Sequence, residues 1–223
     1  MEKEIYLIRG MVSESRNAFS RRVFNAINEI VASYKPQALS LTLTDREPPK
    51  ISVIPFGKSL IAAISFVKLE ESPVSLLVSM EGFAGAYKVW EDLPVSYNKS
   101  WTNQEPTPGA CLLTLFRQKK NIDYDTFIDR WHNGHTPLSL KIHPLWHYSR
   151  NVVKEALVES PEHWDGIVEE HTRTRQELLN PVRFFGGIAK MPYNMIRVFK
   201  DVKSFLDYGS VEPYLVTEYH VKS

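Results

Sequence analysis

Two stretches of equal length decide the fold: FSRRVFNAINEIVASYKPQALSLTL at positions 19–43 and FIDRWHNGHTPLSLKIHPLWHYSRN at positions 127–151. They coincide when the chain is aligned with itself at an offset of 108 positions. The identical pairs include Arg9 with Arg117, Phe19 with Phe127, Arg22 with Arg130, and Pro36 with Pro144. The alignment favours an internal repeat in which each copy carries the same helix and strand. The alternative is a chance match in which the second copy faces solvent.

The first stretch has the pattern of one amphipathic helix followed by one strand. Ser13 or Ser15 can cap the helix, and Pro36 ends it. Its apolar positions follow the helical period: Phe19, Val23, Ile27, Ile30 and Tyr34. Leucines at alternate positions of residues 38–44 then indicate a half-buried strand. These residues predict an apolar core without a polar site.

The remaining patterns extend this arrangement over the whole chain. Each copy is predicted to run strand, helix, strand, strand, helix, strand, with the second helix of the first copy at Phe83–Trp90. The segment Asn98–Gly109, rich in Pro and Gly, is the predicted linker. We therefore expect an α+β protein made of two ferredoxin-like repeats, residues 1–105 and 106–223, that pack as an intramolecular barrel.

The two copies differ in polarity on one face. At the same offset Ile27 falls on His135, while the strand leucines Leu39, Leu41 and Leu43 fall on His147, Ser149 and Asn151. Buried polar groups cost free energy unless they find partners, so this face of the second copy is predicted to line a pocket.

Composition limits the classes of partner. The chain has 27 basic and 26 acidic side chains, so no single-sign field would steer it to nucleic acid or an anionic membrane. Residues 1–10 lack the apolar core of a secretory signal, and no apolar run approaches the roughly 18 to 20 residues that span a bilayer. Cys111 is the only cysteine, which excludes an internal disulfide or a thiolate zinc site and makes a buried hydrophobe the simplest interpretation. A cytoplasmic protein is expected.

A group of residues in the second copy resembles the signature of the EthD family, named for ethyl tert-butyl ether degradation. They are Phe127, Trp131, His135, the pair Pro137 and Leu138, Tyr148 and Asn151. The resemblance covers residues 111–153 well. The family belongs to the dimeric α/β barrel superfamily, which includes polyketide cyclases, quinone-forming monooxygenases, muconolactone isomerases and haem-binding enzymes. It implies a small-molecule enzyme with one pocket per chain.

His135 is the predicted catalytic residue, because an imidazole exchanges protons near neutral pH. Gly134 and Pro137 are expected to end its helix, so the alternative role of His135 is to cap that helix. Tyr148 and Asn151 point to opposite faces of a regular strand. Because Leu43 aligns with Asn151 at the offset of 108 positions, Asn151 is the predicted second catalytic residue. The predicted substrate-binding residues are Trp131, His147, Tyr148 and Phe127.

Other histidines and acidic residues give weaker signals. The pairs His132 with His135 and His143 with His147 lack acidic or sulfur ligands at a fixed short spacing, so no metal site is expected. Glu169 and Glu170, adjacent on one strand, are expected at an exposed edge. No cofactor is expected, although haem is an alternative because one axial histidine is enough to hold it.

The predicted reaction is His-assisted proton transfer on a small aromatic or polyketide-like molecule. Cofactor-free oxidation, cyclisation, isomerisation and decarboxylation can all begin with such a step. The alternative is a noncatalytic protein that binds a hydrophobic ligand or haem. A homodimer is compatible with either function.

Overall fold

The chain forms a closed barrel of eight antiparallel strands. The computed structural model describes residues 1–67 and 72–223. In chain order the strands are β1 (Glu2–Arg9), β2 (Ala38–Leu43), β3 (Ile61–Val67), β4 (Phe83–Val95), β5 (Ala110–Phe116), β6 (Leu145–Ala156), β7 (Gly166–Thr172) and β8 (Glu212–Lys222). Around the barrel their order is β1, β3, β2, β8, β5, β7, β6, β4. The α+β class is confirmed.

Helices cover the outer face of the barrel. They are α1 (Arg16–Tyr34), α2 (Val74–Val78), α3 (Tyr124–Asp129), a π-helical segment (Arg130–His135), α4 (Thr136–Ile142), α5 (Arg175–Leu179), α6 (Pro181–Phe184) and α7 (Met191–Phe205). A short 3₁₀ turn, Tyr208–Ser210, precedes β8. Among residues 1–67 and 72–223, every helix is too short or too polar to cross a lipid bilayer.

The two halves of the chain each supply four neighbouring strands. The first half gives the order β4, β1, β3, β2, and the second gives β8, β5, β7, β6. The halves join edge to edge, because β2 pairs with β8 and β4 pairs with β6. This closure leaves no free sheet edge and creates two kinds of interior space. One is the lumen of the barrel, and the other lies between the outer face of the sheet and the helices.

The helices that follow β1 and β5 begin at equivalent residues. Ser15 caps α1 and Asp123 caps α3, each accepting a hydrogen bond from the backbone three residues later. The second helix does not end near Gly134 as expected, because a π turn carries it on to α4. A Cβ at Gly134 would meet no neighbour, and Pro137 lies where the π turn changes to the α-helix α4. His135 therefore lies inside the helix and is not its C-terminal cap.

The predicted helix at Phe83–Trp90 is wrong, since these residues belong to β4. That strand pairs with β1 on one side and β6 on the other, so its apolar residues are buried by sheet neighbours. The predicted apolar core of the first half is present. Ile27 and the three leucines of β2 are at most 1% exposed and lie in one hydrophobic cluster.

The strand register of the second half departs from the sequence alignment by one residue. Leu145 pairs with Thr172 and His147 pairs with His171, so Trp146 is an extra residue in β6. Such a β-bulge moves every following side chain to the opposite face of the strand. The alignment of the leucines of β2 with His147, Ser149 and Asn151 therefore does not hold after Trp146.

The pairing of β2 with β3 and of β6 with β7 shows which residues of the second half replace the leucines of β2. In the first half Leu41 pairs with Ile64, and in the second half the equivalent position is Arg150, which pairs with Val168. Arg150 points to the helices, where its guanidinium donates to the Thr136 hydroxyl over 2.7 Å. The alternate residues of β6, namely His147, Ser149 and Asn151, face the barrel lumen instead.

Candidate active site

A cavity of about 250 Å³ lies between the outer face of β5, β6 and β7 and the helices of the second half. We call it the outer pocket. Most of its walls are apolar, and they include Leu112, Phe116, Trp131, Val168, Phe184 and Phe205. Three residues of the loop between β2 and β3, Val53, Ile54 and Pro55, also line it. The first half of the chain thus contributes to a pocket formed mainly by the second.

Aromatic packing fixes the helix that carries His135. Trp131 is 1% exposed, and its ring centroid lies 4.9 Å from that of Phe116 on β5. Phe127 packs 5.5 Å from Trp131 on the side away from the cavity. Gly166 on β7 allows this close approach, since a Cβ there would stand 2.9 Å from the Trp131 ring and closer still to Phe116. Trp131 is therefore both core and pocket wall.

His135 reaches the pocket from the π segment and is held at both ring nitrogens. Its Nδ1 lies 2.6 Å from Oδ2 of Asp201 on α7, and its Nε2 lies 3.0 Å from the Ser139 hydroxyl on α4. Because a carboxylate accepts, Nδ1 carries the proton and Nε2 accepts from Ser139. The Asp201 carboxylate can stabilise an imidazolium formed at His135. This is the arrangement of a general base with an orienting acid.

Glu170 brings a carboxyl group into the same pocket. β7 lies between β5 and β6, so the expected exposed edge is wrong: Glu169 faces the lumen and Glu170 faces the outer pocket. Within the described residues no hydrogen-bond donor contacts the Glu170 carboxylate. Burial raises the pKa of Glu170, while the nearby His135 imidazole partly offsets the rise. The raised pKa makes the protonated form of Glu170 more accessible than that of an ordinary glutamate, so this carboxyl group can donate a proton as well as accept one.

Tyr148 shares the outer pocket with His135, in the place expected for Asn151. Its side chain is 1% exposed and lies among the residues that line the cavity. Burial and the neighbouring Glu170 raise the pKa of the Tyr148 phenol, so it stays protonated and can donate a hydrogen bond. The bulge at Trp146 explains why Tyr148 takes the position expected for Asn151, because it places Tyr148 on the helix side of β6.

His143 forms part of the pocket wall. Its Nδ1 donates to the Phe184 carbonyl over 2.9 Å, and its ring stacks on that of Phe184 at 4.0 Å. Burial lowers the pKa of His143 to about 4, so the ring is neutral at physiological pH. It is a less suitable proton acceptor than His135, which has a carboxylate partner.

His147 and Asn151 lie in the lumen and do not converge with His135. The Asn151 amide donates to the Ser149 hydroxyl over 3.2 Å and to the Ile167 carbonyl over 3.0 Å. The His147 ring packs 4.3 Å from Tyr97. The six predicted site residues therefore divide into three groups: His135, Trp131 and Tyr148 line the outer pocket, Phe127 packs behind it, and His147 and Asn151 belong to the lumen.

Sequence reasoning missed three polar residues of the site: Ser139, Glu170 and Asp201. Ser139 follows His135 by four positions, so helical spacing could have identified it. Glu170 required knowledge that β7 is an interior strand. Asp201 comes from α7, 66 positions after His135, and no local pattern connects the two.

Neither histidine pair considered from the sequence forms a ligand set. His143 lies in the outer pocket and His147 in the lumen, on opposite sides of β6. In residues 1–67 and 72–223, no three His, Cys, Asp or Glu side chains are grouped so that they could hold a metal ion.

Comparison with known proteins identifies the fold. No protein-family profile matches the sequence, and no curated protein does. A solved anthrone oxidase-like protein aligns over 99% of this chain and 91% of its own, with a TM-score of 0.61 and 12% identity. A proposed monooxygenase from Fusobacterium nucleatum subsp. nucleatum aligns over 99% and 92%, with a TM-score of 0.53 and 8% identity. The chain has the fold of dimeric α/β barrel proteins, here completed within one polypeptide.

Proposed function

We propose that this protein is an EthD-type oxidoreductase that oxidises a small phenolic or polyketide-like aromatic molecule in the outer pocket. The observation that carries the proposal is the placement of the His135 and Asp201 pair, beside Glu170, in a mostly apolar cavity. Buried and convergent titratable groups of this kind are typical of catalytic sites. The fold shared with an anthrone oxidase-like protein supports this class of substrate.

The cavity limits the size of the substrate. Ligand pockets usually measure about 300–1,000 Å³, and the outer pocket, at about 250 Å³, is slightly smaller than that range. Flat apolar walls from Phe116, Trp131 and Phe184 suit two or three fused rings. Anthrone, a neutral tricyclic ketone with an acidic methylene group, is the corresponding probe.

His135 would accept the proton from the activated methylene. Before His135 can accept this proton, the Ser139 hydroxyl must turn away from Nε2. The hydroxyl can then donate to the backbone carbonyl of His135, four residues earlier in the helix. Asp201 then stabilises the imidazolium, as a carboxylate does for a positioned base. The negative charge moves onto the substrate oxygen, to which Tyr148 or protonated Glu170 can donate a hydrogen bond.

The oxidation requires molecular oxygen as a second substrate. The substrate anion gives its electrons to O₂, and the reduced oxygen bonds to the methylene carbon as a hydroperoxide. Loss of water, with the proton returned from His135 or Glu170, leaves a new carbonyl group. One methylene and one O₂ thus give one carbonyl and one water, and no external reductant is consumed.

We propose this reaction without a resident cofactor. Haem would require an imidazole nitrogen as axial ligand, whereas both nitrogens of His135 contact protein groups. Iron would have to displace Ser139. Cyclisation, isomerisation and decarboxylation share the first proton transfer, and the choice among them depends on the substrate.

The second candidate function is noncatalytic binding of an apolar ligand. The Ser139 hydroxyl favours it, because that group occupies the nitrogen that a catalytic base would use. Oxygen uptake with anthrone separates the two functions. In the catalytic case His135→Ala lowers turnover by about 10² to 10⁴-fold and leaves anthrone binding nearly intact.

His163→Ala is the matched control, since the His163 side chain is 73% exposed and should not affect turnover. Wild-type protein that binds anthrone without consuming oxygen would support the binding function. Turnover that survives His135→Ala unchanged would remove this residue from the mechanism.

Three further parts of the proposal rest on the sequence. We assign the chain to the EthD family on the resemblance of residues 111–153. We divide it into repeats at residues 1–105 and 106–223, which agrees with the four strands that each half contributes. We expect it in the cytoplasm.

A further inference from the structure

The barrel lumen contains a second cavity, of about 360 Å³, which is lined by charged side chains. Three glutamates face it, Glu91 from β4, Glu169 from β7 and Glu218 from β8, together with Lys3 from β1. The side chains of these four residues are at most 10% exposed. The sheet separates this cavity from the outer pocket, so it is independent of the proposed reaction.

The protein's own groups satisfy only part of this cluster. Lys3 Nζ lies 2.9 Å from Glu91 but 3.9 Å from Glu169, which is beyond hydrogen-bond distance. Oε2 of Glu218 accepts from the Tyr97 hydroxyl over 2.6 Å and from the Thr107 hydroxyl over 2.7 Å. In the described part of the chain, no group donates to Oε1 of Glu218 or to the Glu169 carboxylate.

Two histidines give an independent indication of a ligand. His171 is 1% exposed, and its Nε2 has no hydrogen-bond partner among the described residues. This nitrogen lies 3.8 Å from Oε1 of Glu218, and His171 borders a smaller cavity that shares Glu218 with the larger one. His147 lines the cavity, and its buried Nδ1 also lacks a partner within the described ranges. Unpaired buried polar atoms are uncommon and usually mark an ion, a water or a ligand.

The charges determine the class of ligand. Glu91 pairs with Lys3, and Glu218 has His220 Nε2 at 3.2 Å, whereas within the described residues no cationic group lies within hydrogen-bond distance of Glu169. Burial raises the pKa of Glu169, and Lys3 only partly offsets the rise, so a second cation beside this carboxyl would stabilise its charged form. Lys222 stands at the rim with its side chain in solvent, so its charge is largely screened. Uncompensated buried carboxylates are costly, and a bound cation would relieve that cost.

The geometry favours an organic cation over a metal ion. Within the described residues, no three potential ligand groups come together as a metal site requires. The volume of about 360 Å³ corresponds to roughly a dozen waters at about 30 Å³ each. The rings of Tyr97 and His147, whose centroids lie 4.3 Å apart, form one wall of the cavity.

We propose that the barrel lumen binds a small primary ammonium compound, whose N–H groups donate to Glu218 and Glu169 beside the ring of Tyr97. An alkylammonium of four or five heavy atoms fits the cavity and supplies three donors to oxygens that lack them. The alkyl chain would extend towards the exposed rim residue Leu93.

Isothermal titration with n-butylammonium tests the proposal, with 1-butanol as the neutral molecule of matching shape. The expected result is saturable binding of one butylammonium per chain and none of butanol. Resonances of His147 and His171 should shift in histidine-labelled protein, while that of His143 in the outer pocket stays in place.

Adjacent residues of β7 supply a matched pair of variants. Glu169→Gln removes a carboxylate of the lumen and should weaken butylammonium binding by about 10-fold or more, the effect of one charge-assisted hydrogen bond. Glu170→Gln changes a carboxylate on the opposite face and should leave the affinity unchanged. Glu218→Gln should weaken binding further, and Glu169→Gln remains informative if that variant does not fold.

Three results would overturn the proposal. One is the absence of heat and of histidine shifts up to about 10 mM butylammonium. Another is equal affinity for butanol, which would show that charge is not recognised. The third is equal loss of affinity in Glu169→Gln and Glu170→Gln, which would place the ligand outside the lumen.

Discussion

The replacement Asp201→Asn tests the proposed role of the His135 and Asp201 pair directly. Asparagine has nearly the shape of aspartate and can still accept the Nδ1 hydrogen through its amide oxygen. It carries no charge, so it stabilises an imidazolium less. It can also present its amide nitrogen and impose the other tautomer, with the proton on Nε2. Turnover should fall while the fold persists.

The contact geometry sets the size of the effect. Nδ1 and Oδ2 lie 2.6 Å apart, and the two side chains are 13% and 22% exposed. Two unit charges about 4 Å apart interact by about 4 kcal/mol at an effective dielectric of about 20, before desolvation and salt are considered. A hydrogen bond to a charged group contributes about 1.5–3 kcal/mol net. At 1.36 kcal/mol per factor of ten, this predicts a loss of about 10- to 150-fold in kcat.

Oxygen uptake with anthrone measures turnover, and ¹⁵N NMR of the imidazole reports the tautomer. Asp129→Asn is the control, because Asp129 is exposed and, among residues 1–67 and 72–223, its carboxylate accepts only from the Asn133 amide four residues later. The reasoning is refuted if Asp201→Asn keeps wild-type turnover, or if Asp129→Asn lowers turnover equally. Wild-type turnover with an altered tautomer would exclude Nε2 of His135 as the proton acceptor, because that nitrogen would then carry the proton.

Three further predictions follow from burial. Glu170→Gln should remove a limb of the pH–rate profile that lies above pH 4.5, the ordinary pKa of glutamate, because burial raises the pKa of this carboxyl; an unchanged profile would exclude Glu170 from proton transfer. His143 has a folded pKa of about 4 against 6.5 ordinarily, so the unfolded chain binds more protons between these values and stability falls as pH falls through this window. Denaturant titrations at neutral pH and near pH 4 measure how much the free energy of unfolding falls between the two conditions. This fall should be about 3 kcal/mol larger for wild type than for His143→Leu, at 1.36 kcal/mol per pKa unit. The exposed control His163→Gln should match wild type. Leu41→Ala should cost about 2–5 kcal/mol, since Leu41 is 0% exposed, and Leu93→Ala, at 43% exposure, should cost far less.

Much of the architecture could be predicted from periodicity. The apolar positions of α1 repeat every three to four residues, and Ser15 and Asp123 begin equivalent helices 108 positions apart. These are local signals, because capping and amphipathic spacing depend on neighbouring residues only. The π turn at His135 was not predicted from the sequence. Gly134 and Pro137 usually end a helix, and tertiary packing of Trp131 holds this one together.

The candidate site was predictable only in part. Trp131 and His135 follow the inward face of the helix, so their place in the pocket follows from spacing. Tyr148 and Asn151 were assigned to the wrong faces, because the bulge at Trp146 inserts one residue into the ladder. A strand alternates with a period of two, so one inserted residue reverses every later assignment.

The sequence by itself determined the α+β class, the repeat of one helix between two strands, and the helix face that bears His135. The tertiary structure alone decided which carboxylates meet that histidine and which face the lumen. Asp201 approaches His135 across 66 positions, and Glu169 and Glu170 enter different cavities from adjacent positions of β7. The physical reason is that periodicity reports which side of an element is buried, whereas the partners on that side depend on strand order, register and the packing of distant helices.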